Sequence, residues 1–230
     1  MYFWTLSKFI NYFGHCPNIS VKSMKNTKKI IAERALELFN EKGIEYGGMR
    51  ELAALLGMRV SNITYYFATK DDLVNELIVG LAALNNVTTQ KYDTRSLLNF
   101  LETYQEIFKN QYAYRCLHLS FVHLFTHHKG MAEQYKQIEK KRKQRMANAF
   151  VSMMGNGYLK KSIDDDMIEK LTGHVSLLSR FWISESVISY YDKTTDEIMS
   201  HYLVLLSDIF QPYATARGRR DISEFITKLK

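Results

Sequence analysis

Proline is nearly absent from this chain, and that scarcity restricts the fold more than any other feature. The 230 residues contain two prolines, Pro17 and Pro212, with nearly 200 residues between them. β-Sandwiches and barrels need many turns, which proline and glycine usually mark, so this chain favours long helices. Hydrophobic residues make up 46% and charged residues 24%, the balance of a folded globular protein. We therefore expect an all-α fold.

Positive charge is concentrated near the N-terminus. The formal net charge is +7; residues 1–70 carry ten Lys and Arg against five Asp and Glu, and the remainder carries 21 against 19. Neutralisation of phosphates is the main sequence-independent source of affinity for nucleic acid. A modest lysine excess is also common on ordinary protein surfaces. The charge thus favours a polyanionic partner but does not establish one.

Residues 1–23 differ from the rest of the chain. They are rich in aromatics, lack the basic leader of a signal peptide, and fall far short of the ~20 apolar residues that span a bilayer. Met24 precedes a basic entry into the first strong helix, so we hypothesise that Met24 is the true start and 1–23 an untranslated extension. An amphipathic interfacial segment and a DNA-touching arm are the alternatives. Cys16 and Cys116 lack metal or redox spacing, so we expect reduced thiols, a cytoplasmic location and no membrane partner.

Four helices are predicted between residues 27 and 84. The first has a buried stripe at helical spacing and ends at Lys42–Gly43. Two short helices follow on either side of Gly57, the second over residues 60–66. Thr69 and Asp72 form a capping box that opens a longer fourth helix. The stripe of the first helix comprises Ile31, Ala35, Leu38 and Phe39.

The remainder also has helical periodicity. The acidic triplet 164–166 is interpreted as a helix cap rather than a metal-binding cluster, because adjacent carboxylates rarely converge on one ion. Residues 217–230 are predicted to be a loose basic tail ending in a short helix, and the basic run 140–145 to be an exposed helix face. The further helices are placed at about 94–110, 112–128, 131–154, 165–191 and 195–213.

Two short helices around a tight turn, packed on a longer first helix, predict a helix-turn-helix. The second short helix must enter the major groove, so it must be narrow and exposed. Asn62 can pair with an adenine edge, and Val60 and Thr64 can meet a thymine methyl. Such residues also occur in any exposed short helix, and tyrosine pairs are often core. The base-reading candidates are Val60, Ser61, Asn62 and Thr64; Tyr65, Tyr66 and Lys70 are candidates for phosphate.

The stretch from Thr27 to Leu77 resembles the DNA-binding domain of the TetR/AcrR family of bacterial repressors. The resemblance covers about 50 residues without a gap, and it implies that Arg50 reaches a base edge or phosphate. Three positions depart from the family pattern: Gly48 and Arg59 stand where capping Ser or Thr is usual, and Thr64 replaces a frequent tyrosine. Arg59 cannot cap but can reach a phosphate. The matching residues are 31–39 (IAERALELF), Gly43, 50–53 (RELA), 56–57 (LG) and 66–73 (YFATKDDL).

The resemblance implies a domain organisation. Residues 24–84 form the helix-turn-helix domain and residues 85–216 a helical effector-binding and dimerisation domain, followed by the tail 217–230. The expected protein is a ligand-responsive repressor that binds a palindromic operator in double-stranded DNA as a homodimer, with no cofactor and no enzymatic activity. The last two long helices are expected to pair across the two-fold axis through their apolar residues, which are Leu171, Val175, Leu178, Trp182, Val187, Leu203, Leu206, Ile209 and Phe210.

An unknown small-molecule effector is expected among the aromatic and methionine side chains of the second domain, although an ordinary core is the alternative for each of them. The candidates are Phe100, Tyr104, Phe108, Phe121, Phe125, Phe150, Met154 and Phe181.

Four histidines lie close together at 118, 123, 127 and 128, and His123 and His127 share a helix face at a spacing compatible with metal. No acidic partner or HExxH pattern accompanies them, so we expect no metal site. The competing functions are an architectural or activating helix-turn-helix protein and a metal-binding helical-bundle enzyme.

Overall fold

The computed structural model describes residues 19–93, 95–127 and 129–229, without the side chains of residues 19–25 and 129. In those ranges it contains eleven α-helices and no strand, which confirms the all-α prediction; one isolated antiparallel bridge joins Leu159 and Ala214. The helices are α1 (Ile19–Lys42), α2 (Met49–Leu55), α3 (Val60–Tyr66), α4 (Lys70–Lys91), α5 (Leu97–Ala113), α6 (Arg115–Leu119), α7 (Phe121–His127), α8 (Lys129–Gly155), α9 (Asp165–Ser189), α10 (Thr195–Asp208) and α11 (Ala216–Lys228).

Helices α1 to α4 close around a first hydrophobic core, here called the head core. The predicted stripe of α1 faces inward, and Ile31 and Ala35 are fully buried. Gly43 and Gly57 adopt φ of 89° and 63°, a left-handed conformation that glycine reaches without steric cost, and they end α1 and α2. The members contributed by α1–α4 and their loops are Ile31, Ala35, Leu38, Phe39, Ile44, Leu52, Ala53, Ile63, Phe67, Leu73, Val74, Leu77 and Ile78.

The predicted helix caps are present at α4 and α9. The Asp72 amide donates to the Thr69 hydroxyl at 3.1 Å, and the Thr69 amide donates to the Asp72 carboxylate at 2.9 Å, which completes the capping box. At α9, the Asp164 carboxylate accepts from the Met167 amide at 2.9 Å. Each cap satisfies backbone donors that the first turn leaves free, typically stabilising the helix by ~1 kcal/mol.

A second, larger core lies between α5, α8, α9, α10 and α11. Trp182 of α9 is its largest fully buried side chain and stacks on Phe108 of α5, with 4.8 Å between ring centroids and 5° between planes. The indole N–H donates to Gln111 Oε1 at 2.7 Å, and the Gln111 amide donates to the Ser179 hydroxyl at 3.0 Å. The Trp182 indole and the Ser179 hydroxyl of α9 therefore share one partner on α5, the Gln111 side chain.

The two cores do not divide the chain at residue 84. Helix α4 runs without interruption from Lys70 to Lys91. The head core also takes in Cys116, Leu117, Leu124 and Met131, which come from α6, α7 and the start of α8. The predicted domain boundary at residue 84 therefore falls inside α4. Side chains from α6, α7 and α8 complete the head core.

Several predicted helix limits are wrong. The helix placed at 112–128 is two short helices, because the chain breaks at Tyr114 and again at Ser120, where the backbone leaves helical geometry. The helix placed at 195–213 ends at Asp208. Helix α1 begins at Ile19 rather than Thr27, so the end of the predicted extension 1–23 continues α1. The rest of that extension lies outside the described residues.

The prediction of a loose tail at 217–230 is also wrong, because residues 216–228 form α11 packed on α5. Ile222 and Phe225 are fully buried in the second core. The Asp221 carboxylate accepts from the Leu98 amide at 2.9 Å and so caps the first turn of α5. Gly218 lets α11 approach Tyr158: a Cβ at residue 218 would lie 2.2 Å from the Tyr158 carbonyl oxygen.

Candidate nucleic-acid interface

Helices α2 and α3 form a helix-turn-helix that a few apolar residues anchor to the head core. Leu52 and Ala53 of α2 and Ile63 of α3 are buried in the head core. The tight turn between the helices is closed by the Met58 amide, which donates to the Ala53 carbonyl at 2.9 Å. Neither Gly48 nor Arg59 makes a side-chain cap, so α2 and α3 begin without one. The orientation of α3 is thus set by its packing on α2 and by the burial of Ile63 in the head core.

The predicted base-reading residues lie together on the open side of this unit. Arg50, Val60, Ser61, Asn62 and Thr64 are all exposed, whereas Ile63 between them is fully buried. The Thr64 hydroxyl donates to the Ser61 carbonyl at 3.2 Å, inside the same helix. Within the described residues the exposed side-chain amide of Asn62 makes no hydrogen bond, so its donor and acceptor face solvent together.

The predicted phosphate-contacting residues are more varied. Arg59 is exposed, and the Tyr65 ring is 70% exposed and meets the half-buried Tyr66 ring edge to face at 5.1 Å. The Lys70 ammonium donates to the Glu45 carbonyl at 3.2 Å and lies 5.7 Å from the centroid of the Phe39 ring. Burial lowers the pKa of Lys70, and the nearby carboxylates of Glu45 and Asp71 oppose that shift.

A polar cleft of about 410 Å³ runs beside the end of α3, and the sequence did not predict it. Lys28 of α1 crosses to α4, where its ammonium pairs with Glu76 at 2.8 Å and lies 5.2 Å from the Phe67 ring centroid. These contacts therefore hold α1 against α4, next to the C-terminal end of α3. The cleft is lined by Lys28, Thr64, Tyr65, Tyr66, Phe67, Ala68, Asp72, Asn75 and Glu76.

The eight predicted pocket residues separate into two aromatic groups. Phe100, Tyr104, Phe108 and Phe150 belong to the second core, with Met154 packed against it. Phe121, Phe125 and Phe181 instead gather near Tyr135, with ring centroids 4.6 to 5.9 Å apart. None of the eight lines either of the two clefts described for this chain. The second cleft, of about 290 Å³, is a polar groove around Ser96 and Arg217.

Arg180 lies at the centre of the second aromatic group. Its guanidinium is 5.5 Å from the Phe121 centroid and 6.0 Å from that of Phe181, and it pairs with Glu139. Arg142, which the sequence assigned to an exposed face, turns inward and binds the same carboxylate at 2.8 Å. Burial raises the pKa of Glu139, but Arg142 and the hydrogen bonds of Tyr135 and Arg180 outweigh burial and bring it below its ordinary value.

The histidines do not converge on one point. His118 is buried in α6, where burial lowers its pKa to about 4. His123 and His127 stack on the exposed side of α7 at 4.5 Å between centroids, and His128 lies outside the described residues. In the part of the chain that the structure describes, no three His, Cys, Asp or Glu side chains are grouped to hold a metal ion.

Helix α6 touches both the head and α9. On the head side, the Asn40 amide donates to the Ala113 carbonyl at 2.8 Å, and its oxygen accepts from the Cys116 amide at 3.0 Å. On the other side, the Ser184 hydroxyl donates to the His118 carbonyl at 3.1 Å. Ser120, directly after α6, donates to the Glu45 carboxylate at 3.0 Å. Helix α6 therefore connects α9 directly to the residues around the head core.

Most of the apolar residues that the sequence assigned to a subunit interface are buried inside the chain itself. Six of them are buried inside the chain's own second core, namely Leu171, Val175, Trp182, Leu203, Leu206 and Phe210. Val187, which belongs to the predicted set, is exposed. So are four further apolar side chains on α9, α10 and the segment between them: Leu177, Ile188, Tyr191 and Leu205. Among the described residues, no helix is long and apolar enough to cross a membrane.

Comparisons with known families cover both parts of the chain. The family described as "Bacterial regulatory proteins, tetR family" matches residues 31–77, and "Bacterial transcriptional repressor" (TetR) matches residues 82–222. A search of curated proteins returns no significant match.

Solved structures share the fold at low sequence identity. A TetR-family transcriptional regulator from Marinobacter aquaeolei VT8 has a TM-score of 0.77 at 19% identity, over 89% of this chain and 98% of that chain. CprB from S. coelicolor A3(2) gives 0.63 at 13% identity, over 89% and 97%. NalD, the secondary repressor of the MexAB-OprM multidrug efflux pump in Pseudomonas aeruginosa, gives 0.59 at 16% identity, over 85% and 99%.

Proposed function

The chain belongs to the TetR family and is a DNA-binding transcriptional regulator; from that premise, we propose that it represses transcription as a homodimer on a palindromic operator. A small effector bound among the C-terminal helices releases it. The observation that carries the proposal is the exposure of α3, in which Ile63 is the one fully buried side chain and Asn62 and its neighbours face solvent.

In this proposal, α3 enters the major groove and reads base edges. Val60, Ser61, Asn62 and Thr64 contact bases, and Arg50 reaches the same groove from α2. Arg59, Tyr65, Tyr66 and Lys70 contact phosphates at the two ends of the helix and so fix its register, while the base contacts provide specificity. Arg59 and Tyr65 are fully available for this, since both are exposed.

Asn62→Ala is expected to weaken binding to the specific operator by ~1–3 kcal/mol, because a bidentate adenine contact is lost. Affinity for random DNA should not change. Gel shifts with operator and scrambled duplexes measure both, and Asn86→Ala, an exposed asparagine on α4, serves as the control. An equal loss on both duplexes would show that Asn62 reads no base.

Lys70→Ala is expected to weaken binding to every sequence alike and to flatten the plot of log affinity against log salt by about one unit, because one phosphate contact is removed. Lys91→Ala, at the far end of α4, should leave the slope unchanged. Fluorescence anisotropy over a salt series measures it. If Lys70→Ala left the slope intact, its bond to the Glu45 carbonyl would be its whole role.

A second copy of this chain is proposed to cover the exposed apolar face of α9 and α10. One short helix reads too few base pairs for useful specificity, whereas a two-fold dimer sets two reading helices one DNA turn apart, ~34–36 Å. The apolar side chains named above, from Leu177 to Leu205, are 40% to 88% exposed in the isolated chain. A symmetric pairing of these helices buries them.

Effector release is proposed to act through α6. A ligand that favours one arrangement of α9 shifts the population of head spacings by its differential affinity, typically ~1–3 kcal/mol of coupling. The hydrogen bonds from α6 to Ser184 on one side and Asn40 on the other supply a physical connection for that shift.

Operator selection on random DNA, followed by genome-wide footprinting, tests the proposal as a whole. A few palindromic sites that overlap promoters are expected. Broad coverage without a palindrome would instead favour an architectural role, and increased transcription from the bound promoters would favour activation.

A further inference from the structure

Helix α8 carries a group of exposed cations that the proposed function does not use. They lie between residues 136 and 145 and are here called the basic face. The acidic residue of that stretch, Glu139, has a side chain only 13% exposed, because Arg142 and Arg180 bind it from the inner side of the helix. Positive charge therefore accumulates on the solvent side of α8. The basic face consists of Lys136, Lys140, Lys141, Lys143 and Arg145.

Little of this charge is neutralised by the chain itself. Lys136 lies 3.5 Å from Glu133, and Lys143 lies 3.9 Å from Glu139. Ion pairs between exposed side chains are weak, so both lysines can exchange these partners for another anion. Lys140 and Lys141 form no ion pair with a carboxylate in the described part of the chain. At least two ammonium groups are thus held in solvent without a counter-charge.

The side chains around the basic face are polar. Gln137, Gln144 and Asn148 are exposed among the lysines, and Val151 is the one exposed large apolar side chain of residues 130–155. Protein interfaces are built on aromatic and apolar anchors and are depleted in lysine. Lysine, arginine, asparagine and glutamine are instead side chains that contact the phosphate oxygens of DNA. The basic face therefore suits a phosphate backbone better than it suits a protein partner.

The basic face extends away from the helix that reads the operator. Arg145 donates to the Thr89 hydroxyl of α4 at 3.3 Å. Thr89 follows Lys70, the first residue of α4, by nineteen residues, so the two positions are roughly 28 Å apart along the helix axis. The major groove that α3 enters is only ~12 Å wide. The basic face is thus a surface separate from the proposed operator contacts.

We propose that the basic face binds the phosphate backbone of a second DNA duplex while α3 holds the operator. From Lys136 to Arg145 the helix advances roughly 14 Å, a length over which duplex DNA carries about eight phosphate charges. Binding of this kind releases counterions and does not depend on base sequence. The regulator then joins its operator to a distant segment of DNA, which goes beyond the proposed function.

The double variant Lys140→Gln/Lys141→Gln, made in the full chain, tests this proposal. The protein is first mixed with one equivalent per dimer of unlabelled operator duplex, and a fluorescent duplex of random sequence is then titrated in. Anisotropy should show that the wild-type complex binds the labelled duplex. The variant should bind it about tenfold or more weakly at 0.1 M salt, and its plot of log affinity against log salt should be flatter by nearly two units. Operator affinity should stay within about twofold of wild type, because α3 is unchanged.

The matched control is Lys161→Gln/Lys170→Gln, which removes two exposed lysines outside the basic face. It should bind both duplexes as the wild type does. An equal loss from both double variants would show that diffuse positive charge attracts the DNA, and it would overturn the proposal. So would an operator complex of the wild type that did not bind the labelled duplex.

A competitor separates DNA from an acidic protein as the partner. Polyglutamate of the same total charge should displace the labelled duplex less well than unlabelled random DNA does. Equal displacement would favour an acidic protein and overturn the proposal. If the wild type bound no operator, the proposed function would fail instead, and the random duplex binding of the two double variants would still decide the role of the basic face.

Discussion

Placing glutamate at both Leu177 and Ile188 is expected to leave the protein monomeric and to weaken operator binding by about 100-fold or more, toward the level of non-specific binding. The two side chains are 58% and 76% exposed, and they lie three helical turns apart on one face of α9. Across a two-fold axis each glutamate would meet a copy of its own helix. Carboxylates without partners would then be buried, which is strongly unfavourable.

Analytical ultracentrifugation and gel shifts on the same protein measure the two effects. Val151→Glu is the matched control, because Val151 is 55% exposed on α8 and outside the proposed interface. The control should remain dimeric and retain its affinity. A double variant that still sedimented as a dimer would place the interface elsewhere on the molecule.

Gly218→Ala is expected to destabilise the whole fold by about 3 kcal/mol, since the added methyl cannot fit the contact between α11 and the Tyr158 carbonyl. A backbone oxygen 2.2 Å away cannot move as a flexible side chain can. Helix α11 would be displaced, and Phe225 would lose its place in the second core. For a chain of this size the melting temperature should fall by roughly 6–12 °C, as calorimetry would measure.

Gly155→Ala provides the comparison, because a Cβ at the end of α8 meets nothing within 4 Å. Its effect should stay within about 0.5 kcal/mol. If Gly218→Ala were equally harmless, α11 would be a loosely attached helix after all, and the close approach at Tyr158 would contribute nothing to stability.

Helices α1 to α4 could be predicted from sequence because the patterns that specify them are local. The stripe at Ile31, Ala35 and Leu38, the glycine turn and the Thr69 capping box each lie within a few residues of the structure they specify. The exposure of Asn62 also follows from local pattern, since Ile63 is the apolar residue that anchors α3.

The orientation of α9 could not be predicted, because its apolar residues surround the helix. Trp182 and Leu177 are both large and hydrophobic, yet Trp182 is buried within the chain and Leu177 is exposed. Helical periodicity identifies an apolar face but cannot say which of two such faces packs inside the chain. The choice depends on contacts with α5 and α10, which are distant in sequence.

For a related reason, the sequence could not show that the eight predicted pocket residues lie in two different aromatic groups. Composition cannot distinguish Phe100, which packs among the rings of the second core, from Phe121, which covers a guanidinium. The inward turn of Arg142 is likewise invisible in a run of basic residues, because its partner Glu139 is drawn inward by Arg180 of α9, which is distant in sequence. These are tertiary facts with no local signature.

The contribution of Cys116, Leu117, Leu124 and Met131 to the head core has a consequence for recombination between relatives. A chimera that grafts a foreign effector region after α4 would replace four side chains that the head needs for its own interior. A successful graft must therefore take these four side chains from the same protein as α1–α4. The segments that must be inherited together are then discontinuous along the gene.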